Sequence, residues 1–385
     1  MKKLLLSVLM LALAVPAFAF DIPMADGMKL NMYGQVRMTA AYEGTNSSNG
    51  QFNATTSDFK MNWQGNSRFG INFSAGNFFA NAEMKVTPDA VGSAGFRQFW
   101  GGYKMDNGLT IIAGQKTTLT GNGVSSDVYF TDNGLVGFGS VSDARRPMIM
   151  ASYAGFDVAL VTNVIDHSLV DGAEKVGEDY IPRLEVAYNL EMENLTAKIF
   201  GSYGLYTEKY TRGGATQPTS YANINAFHVG FDVMPTFGNM YVGLGAFFAM
   251  NAGMYGAVAA IDSTGKDLMD LKPSIVLDAN GEAEIQDVTT FGGTLVFGMN
   301  LTDAIAFEVG GGYQLSTSDA YVDAAGDEAD VAGYGVYVNA PITLFEGHFV
   351  VTPQVGYYGR STDANLDGAT SVEALIAGAQ VVVKF

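Results

Sequence analysis

This sequence predicts an all-β chain, folded as one closed, transmembrane, antiparallel β-barrel of about sixteen strands. Three observations predict it. Apolar and polar residues alternate with period two over segments longer than a soluble strand. The connections between these segments are alternately short and long. Beyond the N-terminal leader, no segment is convincingly apolar for the length of a spanning helix. The composition agrees. A mean hydropathy of +0.13 averages an apolar outer face with a polar inner one. The 47 Gly, 25 Phe, 19 Tyr and 2 Trp among 385 residues suit barrel bends and interfacial rings better than helices.

The chain opens with a leader. Lys2 and Lys3 precede an apolar run, and Ala17-Phe18-Ala19 is a small-residue cleavage site, so 1–19 reads as a cleaved signal peptide and 20–385 as a single domain. Cleavage removes two cations and no acid, which moves the formal charge from −18 to −20. With no Cys, disulfide frameworks, thiolate metal sites and Cys nucleophiles are excluded. An acidic chain with scattered cations is a poor partner for nucleic acid. A hydrophobic fraction of 48 % is too high for a disordered chain.

Sixteen alternating segments follow, at about 27–44, 66–75, 77–87, 95–106, 108–118, 146–155, 156–165, 180–190, 193–206, 221–234, 237–250, 287–300, 303–316, 330–343, 347–360 and 371–385. In the first, Leu30, Met32, Val36 and Met38 oppose Asn31, Tyr33, Gln35 and Arg37. In the second, Phe69, Ile71 and Phe73 oppose Arg68, Asn72 and Ser74. The fourth, with Phe96-Arg97-Gln98-Phe99-Trp100, is aromatic on both parities, and the facing of strands four to six stays open. In the ninth, Leu195, Ala197 and Ile199 oppose Thr196 and Lys198. The uncharged stretch 241–261 is long enough for a helix, but its first half alternates, so it reads as a strand running into a loop. The last segment ends on Val381, Val383 and Phe385. Strands of ~9–11 residues plus overhang match a bilayer, whereas soluble strands run ~5–6.

After even strands the connections are short, as at 76–77, 106–108, 155, 192, 235–236, 301–302 and 344–346. After odd strands they are long and polar, at 45–65, 119–145, 166–179, 207–220, 251–286, 317–329 and 361–370, with 88–94 the short exception. This sorting is the pattern of an outer-membrane barrel with short periplasmic turns and long external loops. Charge placement supports the faces. Arg37, Arg68, Glu83, Lys85, Asp157, Arg183, Glu185, Lys198, Asp232 and Glu308 all oppose the large apolar residues. A lipid-facing charge costs ~2–4 kcal/mol at the midplane, so these point to a wet lumen. Tyr42, Trp63, Tyr206, Phe345, Phe349 and Tyr357 read as interfacial girdles.

At residue level, the terminal Phe385 on an alternating strand, the sixteen strands, Phe96-Arg-Gln-Phe-Trp-Gly-Gly-Tyr103 followed by Leu109-Thr-Ile-Ile-Ala-Gly-Gln115, and the long loop after strand five carry a resemblance. The chain resembles the general, non-specific porins of Gram-negative bacteria. The resemblance implies an outer-membrane channel for passive diffusion of small hydrophilic solutes and ions, assembled as a homotrimer. It implies that loop 119–145 folds into the pore as a constriction. There Asp127, Asp132 and Asp143 are expected to face a basic ladder of Arg37, Arg68, Lys85 and Arg97, with Arg145 and Arg146 where the loop rejoins the wall. Phe385 looks like the signal read by the barrel-assembly machinery, and lipid and lipopolysaccharide are the expected surroundings. Segment 132–139 departs from the common porin loop motif. From the acidic total, a mild cation preference is expected.

Other motifs carry less. Asp363-Ala-Asn365-Leu-Asp367-Gly368 copies half of an EF-hand loop, but Ala374 stands where the closing Glu belongs, so it reads as a polar turn. The acidic tips 323–330 and 278–284 read as solvated charge. Asp166-His167-Ser168 holds triad residue types side by side, which is not how a triad is assembled. No catalytic residue, cofactor or metal site is expected, and the chain is read as no enzyme. Three alternatives remain: a substrate-specific porin with 251–286 as a second inserted loop, a structural or adhesive barrel without transport, and, most remote, a hydrolase barrel.

Overall fold

The structure is a computed structural model that describes residues 20–23, 27–48, 53–86, 95–129, 134–163, 181–211, 219–261, 268–277, 282–322, 326–362 and 371–385. The leader 1–19, Asp132, the 166–168 triplet and the 363–368 turn lie outside them.

Sixteen antiparallel strands close into one barrel. They are β1 (Lys29–Ser48), β2 (Asn53–Trp63 and Arg68–Ala75), β3 (Phe78–Lys85), β4 (Phe96–Lys104), β5 (Thr110–Thr117), β6 (Arg145–Tyr153), β7 (Phe156–Val161) and β8 (Arg183–Met192). There follow β9 (Leu195–Thr211), β10 (Thr219–Phe237), β11 (Met240–Met250), β12 (Thr289–Asn300), β13 (Ala306–Val322), β14 (Glu328–Asn339 and Ile342–Leu344), β15 (Phe349–Thr362) and β16 (Ser371–Lys384). Each pairs with its sequence neighbour, and β16 pairs back onto β1 from Gln35↔Lys384 to Ser48↔Ser371. Closure pairs the backbone groups that lipid cannot solvate. At the seam Gly34 N donates to Phe385 O at 2.6 Å, and Phe385 N donates to Gly34 O at 2.9 Å. A Cβ at position 34 would lie 2.5 Å from the Phe385 ring, so the terminal aromatic sits where only glycine leaves room.

All sixteen expected strands are present. Three external loops are shorter than expected because their strands run on past the membrane. The first hairpin continues through Ser48↔Asn53, so most of 45–65 is strand. Likewise β9 and β10 pair out to Thr211↔Thr219, and β13 reaches Val322. Thr, Tyr and Val continue the period-two pattern there, and β-propensity extends the ladder into solvent. Segment 241–261 is a strand to Met250, then a short 3-10 turn, Ala252–Tyr255. The turns on the other side are tight: Ala154 and Gly155, at φ 49° and 86°, form a two-residue hairpin loop in the left-handed region.

Faces separate by burial. On β8, Arg183, Glu185 and Ala187 are buried, while Leu184 and Val186 are exposed on the outer face. The ten charges that oppose the apolar residues point inward. The ambiguous fourth strand has a local cause. Glu83 lies opposite Gln98 and Met84 opposite Phe96, so Arg97 is an extra, bulged residue. The bulge lets Phe96 and Phe99 share the outer face, both more than half exposed, while Arg97 is buried inside. Tyr206 corrects the girdle expectation. It is fully buried on the inner face, three residues on from the exposed Tyr203 and therefore of opposite parity. Tyr42 and Phe345 are at least half exposed, as an interfacial ring requires.

Candidate functional site

The inner wall of β1–β6 gathers cations around one acid. Glu83 on β3 accepts from Arg97 Nε at 2.8 Å and from the Tyr33 hydroxyl at 3.0 Å, and lies 3.5 Å from Arg68 Nε. A break in β2 at 64–67 makes room for Arg97. Its Nη1 donates to Gly65 O at 3.1 Å and to Asn66 Oδ1 at 3.0 Å. Ser67 caps the break by accepting from Arg37 N at 2.9 Å. Arg37 lies within electrostatic range of Arg68 and Arg97, and Arg145 within range of Arg97, Arg68 and Glu83. Arg68 and Arg97 thus pair with Glu83, Arg145 lies within its electrostatic range, and Arg37 adjoins Arg68 and Arg97. Among the described residues, Arg145 Nε and Arg97 Nη2 are buried without a hydrogen-bond acceptor. Lys85, opposite Arg68 in the register, is exposed on the same face.

The segment 118–144 leaves β5 and runs inside the barrel, because wall side chains capture its backbone. Glu185 on β8 accepts from Leu119 N at 2.8 Å and from Thr120 Oγ1 at 3.3 Å. Lys198 on β9 donates to Gly121 O at 3.1 Å. Asp232 on β10 accepts from Asn122 Nδ2 and Gly123 N, both at 2.8 Å. Glu308 on β13 accepts from Ser126 N at 2.8 Å, Ser126 Oγ at 2.5 Å, and the hydroxyls of Tyr337 and Tyr241. Gln354 on β15 accepts from Val128 N at 3.1 Å, and Gln64 on β2 donates to Val128 O at 2.8 Å. The loop is therefore tied from β8 round to β2. Its apolar side, with Leu119 and Val141, packs on Met148, Val161 and Phe200 of the wall. Cavities remain on the side of β16, β1, β2 and β3. A cavity of about 420 Å³ there is lined by Thr39, Glu43, Lys60, Gln64 and Tyr129, and another of about 510 Å³ by Tyr33, Gln35, Arg68, Glu83 and Gln98.

The expected acids have other partners. The Asp127 carboxylate is buried and accepts from Gln354 Nε2 and the Tyr358 hydroxyl, both at 2.5 Å. Burial pushes its pKa up to about 6, although these hydrogen bonds pull it down. Asp143 is buried between Arg146, at 3.0 Å, and Arg183. Both acids tether the loop to the wall and do not face the basic cluster; polar groups buried this deeply need such hydrogen-bond partners. Asp132 lies outside the described residues. Arg146 is drawn into the Asp143 pair, so only Arg37, Arg68, Arg97 and Arg145 form the cluster, with Lys85 beside it. Glu185, Asp232 and Glu308 are legible in sequence as inward charges, but their role as loop anchors is not. Tyr337 and Gln354 carry no signal beyond inward parity.

By architecture this is a closed, sixteen-strand antiparallel barrel with a loop tied inside it. No family model matches the chain, and no curated protein matches it in sequence. Solved structures do match in fold. The outer membrane channel DcaP of Acinetobacter baumannii superposes with a TM-score of 0.69 at 14 % identity, over 94 % of this chain and 99 % of that one. The anion-selective porin from Comamonas acidovorans gives 0.54 at 13 % identity, over 93 % and 100 %. OmpT of Vibrio cholerae, in its trimer form, gives 0.53 at 16 % identity, over 94 % and 100 %.

Proposed function

We propose that this protein is an outer-membrane porin: a water-filled, non-catalytic channel through which small hydrophilic solutes and ions diffuse. The observation that carries this reading is the loop 118–144 tied inside the barrel, which leaves a polar path beside Arg37, Arg68, Arg97 and Arg145. A narrow wet passage with an excess of one sign of charge selects by size and by charge. The fold shared with DcaP and the Comamonas porin supports it. The trimer form of OmpT supports a homotrimer, and the outward apolar belt supports lipid and lipopolysaccharide as surroundings. The seat of Phe385 on Gly34 supports recognition of the last strand by the assembly machinery.

The path prefers anions. The acidic total suggested cations, but selectivity is set where the passage is narrow, and there four arginines gather around the single acid Glu83, which pairs with Arg68 and Arg97. Asp127 and Asp143, two of the acids expected to balance them, tether the loop instead. Reconstituted protein in a planar bilayer tests both points. Stable ohmic steps with an anion-preferring reversal potential are expected. Absence of conductance would favour a structural or adhesive barrel, and cation preference would remove the basic cluster from the passage.

A further inference from the structure

A second segment crosses the barrel interior on the external side of loop 118–144. It follows β11 with Asn251, the 3-10 turn Ala252–Tyr255 and the short strand Ala259–Ile261, which pairs with Leu268–Asp270. Its contacts reach across the wall. Arg146 on β6 donates to Tyr255 O at 3.0 Å, and the Arg183 guanidinium on β8 lies 4.1 Å from the centre of the Tyr255 ring. The Tyr255 hydroxyl meets Ser202 Oγ on β9 at 2.8 Å and His228 Nδ1 on β10 at 2.7 Å. On the far side Gln314 of β13 donates to Ala259 O at 2.6 Å, and Arg360 of β15 donates to Ile261 O at 2.8 Å.

The same strands hold both segments, at different heights. Lys198, Asp232, Glu308 and Gln354 hold the loop; Ser202, His228, Gln314 and Arg360, four to six residues further toward the external end, hold the crossing segment. At ~3.3 Å per residue these two sets of anchors are ~13–20 Å apart along the strands, and the returning arm of the loop, with Leu135, Phe138 and Val141, packs against the crossing segment between them. Ser142 N, donating to Ala257 O at 3.3 Å, joins them. The upper layer is packed like a protein core: Ala257 and Ala260 are 0 % exposed and Tyr255 and Ile261 1 %. A Cβ on Gly253 would lie 1.9 Å from Leu271 O. Buried Gln314 and Arg360 find acceptors in the backbone of this segment, so its removal would strand polar groups inside the barrel.

We infer that residues 251–261 form a second constriction, which sets the upper size limit of the solutes admitted, with Tyr255 as the residue that positions it. The inference rests on the channel reading. It makes the passage two successive filters: a packed strap that sets bore, then the arginine-lined gap that sets charge preference. A barrel narrowed by one loop alone would admit larger neutral solutes.

The test compares the full-length protein with Tyr255→Ala and with the double variant Gln314→Ala/Arg360→Ala, which release the strap from opposite walls. Heat-modifiable gel mobility confirms that each barrel has folded. Single-channel conductance and liposome swelling with sugars of graded size are then measured. Both variants are expected to raise conductance about two-fold or more and to admit larger sugars, with anion preference kept. Folded variants with wild-type conductance and sugar cut-off would overturn the second constriction. If wild-type protein shows no conductance at all, the channel reading itself fails, which is a different result from an unchanged cut-off.

Discussion

Glu308 shows what one inward carboxylate does in this wall. It accepts from the backbone and hydroxyl of Ser126 and from the Tyr241 and Tyr337 hydroxyls, so both of its oxygens are occupied by donors from the loop and two other strands, β11 and β14. Hydrogen bonds to a charged group contribute ~1.5–3 kcal/mol each, and more is lost when donors are left buried and unpaired. Glu308→Ala is therefore expected to loosen the tip of the loop while the barrel still folds. Current noise and brief closures should increase, and the loop should become sensitive to limited proteolysis; unchanged noise and protection would contradict the anchor. Asp127 makes a pH prediction. Its pKa stands at about 6 against an ordinary 3.8, so the buried contact favours the protonated acid. As pH rises from ~4 to ~6 the loop proton must be given up, and the tether weakens by up to ~3 kcal/mol. Hydrogen exchange across 119–129 should be slower at pH 4.5 than at pH 7.5, and Asp127→Asn should flatten the difference. Equal pH dependence in the variant would contradict this.

At the scale of elements, the strands are legible because the bilayer enforces a strict code: outward apolar, inward polar, for ten or more residues. Where that code breaks, a local device explains it. The Arg97 bulge reverses parity in β4, and the sequence shows only that both parities are aromatic. Tyr206 follows inward parity, yet as an aromatic near a strand end it reads like a girdle residue until the strap and its Tyr255 are seen beside it. The loop acids illustrate a deeper limit. Sequence marks Asp127 and Asp143 as acids of an inserted loop, but their partners, Tyr358 and Gln354 or Arg183 and Arg146, are brought near by barrel closure over long chain separations. The seam offers a direct check on elements. Gly34→Leu would drive a side chain into the Phe385 ring, and Phe385→Ala would empty its seat. Both are expected to lower the yield of assembled, heat-modifiable barrel several-fold in cells, and normal yields would contradict a role for this contact in assembly.

The whole molecule is a barrel whose interior is unevenly filled. Toward β5–β11 the loop and the strap pack against Met148, Phe200 and Phe247 as an apolar core, and polar cavities remain beside β16 and β1–β4. The net charge of −18 is a property of the whole surface. In the proposed channel the charge that a permeating ion meets is that of the arginine cluster, whereas Asp127 and Asp143 hold the loop in place. Neutralising the cluster in the triple variant Arg37→Gln/Arg68→Gln/Arg97→Gln should move the selectivity toward cations, whereas neutralising Asp127 and Asp143 should move it little. The most direct measurement is the zero-current potential of the purified wild-type protein in a planar bilayer under a salt gradient. The account predicts discrete ohmic steps and a potential of the sign set by anion flow, reduced or reversed in the triple arginine variant. A silent protein, or a cation-selective one indifferent to those arginines, would contradict it.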